Sequence, residues 1–181
     1  MMRFTTLIKN PADWMRGSGP HSDIVMTSRV RLARNLRNYP FPGWSQEKQR
    51  QDLLQLARPF VEALPEMKDG YSEEYATLSK IKKQVLVERH LISREHAARS
   101  SGCAVVVDRR QSVSIMINEE DHFRMQGIRP GLSLRAAFEA IDRVDTELEE
   151  KLPYAFDSKL GYLTACPTNL GTGMRASVMV H

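Results

Sequence analysis

The chain has few of the residues that would take it out of the ordinary globular classes. Two cysteines, Cys103 and Cys166, occur in 181 residues, too few and too far apart for a disulfide framework or a zinc site. Such sparse thiols suit a reducing cytoplasm. No apolar run approaches the length of a membrane span, and the opening MMRFTTLIKNPADW lacks the h-region and cleavage site of a secretory signal. Zinc-finger spacing, a KH loop and an aromatic–basic repeat are all missing, which leaves nucleic acid binding unsupported. No internal repeat or low-complexity tract is present.

What is present is enough for one core, or a core with a small satellite. Hydrophobic residues make up 41% and charged residues 27% of the chain, the balance of a soluble globular protein. The net charge of +4 is unevenly spread. Residues 28–58 hold seven Arg/Lys against two Asp/Glu, and residues 119–150 hold four against nine. A site between those segments would offer one wall to a polyanion and the other to a cation.

Pro11, Gly17, Gly19 and Pro20 predict an irregular N-terminal lead. DIVMTSRVR (23–31) reads as a short strand, and NYPFPGW (38–44) as a loop. Ser45 is placed to cap a helix to about Leu64, its stripe made by Leu53, Ala57, Phe60, Val61 and Leu64, with a kink at Pro59. A second helix is expected from about Ser72 to Lys83 with Tyr75, Leu78 and Ile81 inside; QVLVERHLIS (84–93) is ambiguous between helix and strand. CAVVVD (103–108) and QSVSIMIN (111–118) predict an antiparallel hairpin turned by Arg109 and Arg110. A long helix spans Ser133 to about Glu150 on a stripe of Leu134, Ala137, Phe138, Ile141, Val144 and Leu148. KLGYLTACP (159–167) and ASVMV (176–180) complete the strand-like runs. Without βαβ alternation, these elements argue an α+β fold with an antiparallel sheet flanked by helices. A core-grade strand run just before His181 predicts a longer parent polypeptide.

Three segments carry chemistry. NEEDHFR (118–124) follows VSIMI, whose alternation is that of a half-buried strand. Continuing that period puts Asn118 and Glu120 opposite the apolar residues, with Glu119 and Asp121 turned away unless the strand has ended. Three adjacent carboxylates are costly in a fold unless cations balance them, and a guanidinium substrate is one such cation. As a metal site the cluster is weak, because adjacent residues rarely all reach one ion and no second cluster has ligand spacing. TSRVRLAR (27–34) sets Arg29 and Arg31 two apart, on one face of a strand, where their forked donors suit phosphates; Arg34 beyond them is placed to brace a carboxylate. CPTNLGTGMR (166–175) is shaped by Pro167, Gly171 and Gly173 into a tight turn whose amides can face an anion, with Arg175 after it. It is neither a Walker loop nor a Rossmann fingerprint. Cys166 sits at the turn, where arginine charge would favour its thiolate, whereas Cys103 heads an apolar strand and reads as core. Alone, His90 is unspecific. Arg16 and Arg99 fall outside all three motifs.

Together, TSRVRLARN, NEEDHFR and CPTNLGTGMR resemble the ATP:guanido phosphotransferases, the family of creatine kinase, arginine kinase and bacterial protein arginine kinase. The resemblance runs from about Ser22 to His181. With only 27 residues ahead of Ser28, the lead is similar to that of the bacterial protein arginine kinases and not to the phosphagen kinases with their helical N-terminal domain. The division implied is a lead, residues 1–21, and a partial catalytic domain, residues 22–181. Thr27, Ser28, Arg29, Val30 and Arg31 would then bind nucleotide, with His90, Arg124 and the run Arg175, Ala176, Ser177, Val178 and Met179. Glu120, with Glu119 beside it, would engage the substrate guanidinium, and Cys166 would approach it as well.

These roles imply ATP-dependent phosphorylation of protein arginine side chains, giving ADP and N-phospho-L-arginyl protein. Mg2+ would be held by the ATP phosphates and water, with no protein metal ligand. Nothing resembles the Gly-rich loop, HRD or DFG of Ser/Thr/Tyr kinases. Family members continue past the RASVM-like segment, with a further phosphate arginine and a glutamate-bearing loop, so the chain is expected to be a fragment of an active kinase or a shortened product. The other readings are a kinase of small guanidino compounds and a non-catalytic nucleotide-binding or regulatory module. The family further implies cytoplasmic protein substrates, a zinc-containing activator, bacterial protease machinery and a homodimer of the complete enzyme, with neither nucleic acid nor membrane as partner.

Overall fold

A computed structural model describes all residues 1–181. The strands are β1 (Val25–Arg34), β2 (Tyr71–Glu74), β3 (Ala104–Val107), β4 (Val113–Ile117), β5 (Phe123–Pro130), β6 (Phe156–Asp157), β7 (Gly161–Tyr162) and β8 (Met174–Val180). The helices are α1 (Phe4–Lys9), α2 (Glu47–Glu62), α3 (Lys80–Glu88), α4 (Arg94–Ala97) and α5 (Leu134–Glu149). Six strands form one antiparallel sheet in the order β2-β3-β4-β5-β1-β8, while β6 and β7 make a separate ribbon. This is the expected α+β architecture, and no helix is long and apolar enough to cross a membrane.

Strand alternation gives the sheet two unlike faces. On one, Val30, Leu32, Val106, Ile115, Ile117, Phe123 and Met125 join the buried stripes of α2 and α5 in the main core. Gly127 allows α5 to lie directly on β5; a Cβ there would come 2.5 Å from the Ala137 carbonyl. On the other face, Tyr71, Val105, Val107 and Met116 pack under Leu7 of α1 and Leu86 of α3 in a second cluster. That cover stops at β4. Over β5, β1 and β8 the second face carries no α-helix, and only the short 3-10 turn Asp13–Arg16 lies against β5.

Several expectations change. The lead is ordered, since α1 forms and Leu7 and Ala12 are wholly buried. The helix expected from Ser72 to Lys83 is strand β2, a turn, and α3 from Lys80; Ser79 caps α3 by accepting from the Lys82 amide. Tyr75 and Leu78 are buried from the turn, but Ile81 is 78% exposed. Pairing of β2 to β3 decides this, a non-local contact that the helical period could not foresee. The cap of α2 is Gln46, in a reciprocal box with Gln49, and not Ser45. On α5, Phe138 is 36% exposed and lies off the buried stripe. Only Gly161–Tyr162 of the expected 159–167 strand is extended pairing. β4 is buried on both faces, because a helix layer lies on each, and so is not half-buried.

Candidate active site

The register of β1 with its neighbours builds the bare face. Arg31 stands opposite Gln126 of β5 and Arg175 of β8, while Arg29 stands opposite Ser177. Residues two apart share a face, so Thr27, Arg29, Arg31, Arg124, Arg175, Ser177 and Met179 are presented together. By the same alternation Ser28, Val30, Ala176 and Val178 turn to the opposite face. Val30 is core, and the Ser28 hydroxyl holds the entry to α5, donating to the Gly131 carbonyl at 2.8 Å and accepting from the Ser133 amide at 2.8 Å.

Four guanidinium groups on one face repel one another. Burial, then the charges of Arg29, Arg124 and Arg175, push the Arg31 pKa down to about 10. Burial, Arg124 and Arg175 also lower that of Arg29. Arg31 Nε is buried with no partner. An orphaned donor amid like charges is a site that an anion completes.

In NEEDHFR the three carboxylates have three fates. The chain breaks the strand period at Asn118, whose φ of 61° is left-handed and whose amide group donates to the Arg50 and Gly102 carbonyls. Glu119 turns inward and is 2% exposed. It accepts from the Ser93 hydroxyl at 2.6 Å, Arg124 Nη1 at 2.5 Å and the Glu120 amide at 2.7 Å. Burial raises the Glu119 pKa, but Arg124, Ser93, the Glu120 amide and His96 outweigh it, leaving it below the ordinary value. Asp121 has no cation; Asn35 Nδ2 and the Ala165 amide satisfy it, each at 2.6 Å, and burial still raises its pKa. Glu120 alone is exposed with its carboxylate unengaged. Its pKa is raised by burial and by the charges of Asp121 and Glu119, against Arg124.

Hydrogen bonds fix this segment. His122 Nδ1 accepts the Leu36 amide at 2.9 Å and Nε2 donates to the Pro40 carbonyl at 3.0 Å, so the ring is neutral, and burial drives its pKa to about 4. Asn35 also reaches the Leu163 carbonyl at 2.9 Å, which ties β1 to the stretch leading into Cys166. Arg34 braces a carboxylate as expected: it pairs with Asp145 of α5 at 2.6 Å, both buried, and donates to the Thr172 carbonyl at 2.9 Å. Gly173 has φ 63°, and any Cβ there would strike the Arg34 guanidinium and the Ala33 carbonyl. The turn is thereby pinned, and its Gly171 amide is spent on the Tyr162 carbonyl at 3.4 Å.

Arg31, Arg124 and Arg175 meet Glu119, Glu120 and Cys166 around a pocket of about 90 Å³, the scale of a guanidinium and far too small for a nucleotide. Cys166 is half-buried, its Sγ 2.9 Å from the Thr168 hydroxyl. A trough of about 1120 Å³ continues from Arg31 and Arg124 past Arg29, His90, Lys83 and Arg99. Beyond it Trp14, Thr27, Arg29, His90, Ser177 and Met179 line a side pocket of about 300 Å³. His90 lies against Trp14 with ring centroids 5.1 Å apart, and burial with the Arg29 charge lowers its pKa. Three of these residues escaped the sequence reading, Lys83 having entered it only as an expected helix end. Trp14 belongs to the supposedly irregular lead, and Arg99, outside every motif, donates to the Glu119 carbonyl at 3.3 Å. Packing of the turn Asp13–Arg16 against β5 and the Arg99 bond to Glu119 bring Trp14 and Arg99 there, and no local pattern signals either.

The open face thus carries four arginines and ends at the unengaged Glu120 carboxylate and Cys166. Residues 54–181 match the family described as ATP:guanido phosphotransferase, C-terminal catalytic domain, and the chain belongs to that family. It is 46% identical over 173 residues to a protein-arginine kinase of Symbiobacterium thermophilum, covering 93% of this chain and 48% of that protein. It is 48% identical over 171 residues to the protein-arginine kinase of Geobacillus stearothermophilus, covering 93% and 47%. The chain thus spans about half the length of the curated relatives it matches. Among solved structures, the substrate-free duplicated taurocyamine kinase of Schistosoma mansoni superposes with a TM-score of 0.80 at 26% identity, covering 94% of this chain and 26% of that one. A lombricine kinase shares the fold, with a TM-score of 0.78 at 24% identity, over 94% of this chain and 52% of that one.

Proposed function

We propose that this chain carries the nucleotide face and half of the acceptor site of an ATP-dependent protein arginine kinase. The observation that supports this above others is the arrangement of four arginines leading to a guanidinium-sized pocket closed by Glu120 and Cys166. Arg29, Arg31, Arg124 and Arg175 hold the ATP phosphates; Thr27, His90, Ser177 and Met179, with Trp14, receive the nucleoside. Ser28, Val30, Ala176 and Val178 shape this surface through their backbone. Mg2+ rides on the nucleotide phosphates and water. Residues 22–181 form the catalytic portion, to which the lead, residues 1–21, contributes Trp14.

A protonated guanidinium is a poor nucleophile with pKa above about 12. Glu120, its own pKa raised, orients that group and accepts a proton as the N–P bond forms. Arginines spread around the transferred phosphoryl group offset its charge without reorganising. Cys166 supplies a second polar contact that aligns the guanidinium and is not itself phosphorylated. Glu119 acts by holding Arg124 in place, since its carboxylate already accepts from three of the chain's own donors, Ser93, Arg124 and the Glu120 amide. Relatives at 46% and 48% identity named as protein-arginine kinases favour a protein acceptor over the other guanidino compounds. Cytoplasmic location, protease-linked partners and a homodimer belong to the same proposal.

Titration with ATP tests the phosphate face. Arg31→Ala or Arg124→Ala should weaken binding by about one to two decades, the worth of a charge-assisted contact of roughly 1.5–3 kcal/mol. Arg16→Ala and Arg135→Ala, at exposed positions off this face, should change it little. Equal losses at all four positions would refute the assignment.

A further inference from the structure

Next to the acceptor pocket, and sharing Glu120 and Arg124 with it, lies a groove of about 590 Å³ whose outer wall is Phe41 and Trp44. Trp44 is 88% exposed, yet the loop presenting it is held at several points. His122 binds the Pro40 carbonyl at 3.0 Å, and the Phe41 ring meets the His122 ring with centroids 6.5 Å apart. The Ser45 hydroxyl donates to the Pro42 carbonyl at 3.0 Å, Arg50 to the Ser45 carbonyl at 2.6 Å, and the Trp44 amide closes a turn onto Phe41 at 2.9 Å. The loop that carries this indole is preorganised, because the ordering cost of its backbone is already met before anything binds.

The charges of the groove point the same way. Arg124 is paired with the Glu119 carboxylate, whereas Arg99 donates to the Glu119 main-chain carbonyl and keeps its charge. Glu95, at the first turn of α4, is exposed and forms no ion pair, and Glu120 is likewise unengaged. With Glu95, Glu119 and Glu120 set against Arg99 and Arg124, the groove is net negative by one charge, beside two aromatic rings. That combination suits a cationic chain carrying a bulky side chain.

We propose that this groove takes the polypeptide flanking the target arginine, with a bulky residue on Trp44 and a basic residue toward Glu95. The acceptor is thereby selected as part of a basic protein segment and not as a free guanidino compound. This rests on Glu120 being the partner of the acceptor guanidinium.

Calorimetric titration of the chain, with a non-hydrolysable ATP analogue present, compares two probes: N-acetylarginine amide, and a blocked pentapeptide with arginine between phenylalanine and lysine. The pentapeptide should bind at least about tenfold more tightly, the usual share of an aromatic anchor. Trp44→Ala should abolish that advantage while leaving the affinity for N-acetylarginine amide and the melting temperature unchanged, and Trp44→Phe should restore part of it. Glu95→Gln should lower pentapeptide affinity alone and reduce its salt dependence. Equal affinities for the two probes, or an advantage that survives Trp44→Ala, would overturn the groove assignment and leave Glu120 in its role. Binding of both probes that is indifferent to Glu120→Gln would overturn the two together.

Discussion

Over β2, β3 and β4, one face of the sheet presents Tyr71, Val105, Val107 and Met116 to α1 and α3, and water does not reach it. Over β5, β1 and β8 the same face presents Arg124, Arg29, Arg31 and Arg175, and no α-helix crosses it, only the 3-10 turn Asp13–Arg16 lying against β5. The backbone is the same in kind on both sides, so side-chain chemistry decides the cover. A helix laid on four arginines would bury charge without partners, at a cost of several kcal/mol per ion. Glu119 joins the two halves, taking Ser93 from the covered side and Arg124 from the open one. The apolar half gives rigidity, and the charged half gives up packing to stay available for an anion.

The sharpest way to break this contrast is Glu120→Gln. Phosphotransfer to protein arginine, by this chain alone or within a longer polypeptide, should fall about 10²–10⁴-fold if proton acceptance is its main role. The melting temperature should hold. Single-turnover kinetics beside a thermal melt would show whether function and stability separate here. On the covered half the pattern should invert: Leu86→Ala should cost about 2–5 kcal/mol in urea unfolding, while the folded fraction keeps its ATP affinity.

Acid should act on the covered parts as well. His96 accepts from Tyr75 at Nδ1 (2.6 Å) and donates from Nε2 to the Ile117 carbonyl (3.1 Å), and burial lowers its pKa from 6.5 to about 4, as for His122. Between those values the unfolded chain binds more protons, so stability should fall as pH drops from 6.5 toward 4. The loss is on the order of 3 kcal/mol per imidazole. Asp108 and Asp121, whose pKa values are raised by burial, work in the opposite sense as they protonate. Unfolding measured across that range in His96→Gln should show a shallower decline; an unchanged slope would remove His96 from the account. The smallest effect is expected at Arg31→Met, which relieves like-charge repulsion and should raise stability by up to about 1 kcal/mol while ATP affinity drops. A loss of stability there would mean that the open half is also structural.

Much of this was legible locally. The β3–β4 hairpin followed from two β-branched runs around Arg109 and Arg110, and α2 and α5 from their apolar stripes, to within one or two residues of the structure. Arg29 and Arg31 share a face because two is the period of a strand, whatever the strand pairs with. The break after Ile117 was not legible, because it depends on Asn118 adopting a left-handed turn anchored by the Arg50 and Gly102 carbonyls. That turn assigned the three carboxylates, sending Glu119 to Arg124, Asp121 to Asn35, and Glu120 to the pocket.

The sequence by itself determined the kind of chemistry available: forked cations at strand spacing, a run of carboxylates and a cysteine at a glycine turn. Tertiary structure alone decided which of them stand together. Register on β1 brought Arg124 and Arg175, 51 residues apart in number, to either side of Arg31, and chain return carried Trp14, Trp44 and Arg99 to the same surroundings. The physical reason is that side-chain type and period are properties of short segments. Burial, pairing and pKa arise only where segments remote in sequence share space.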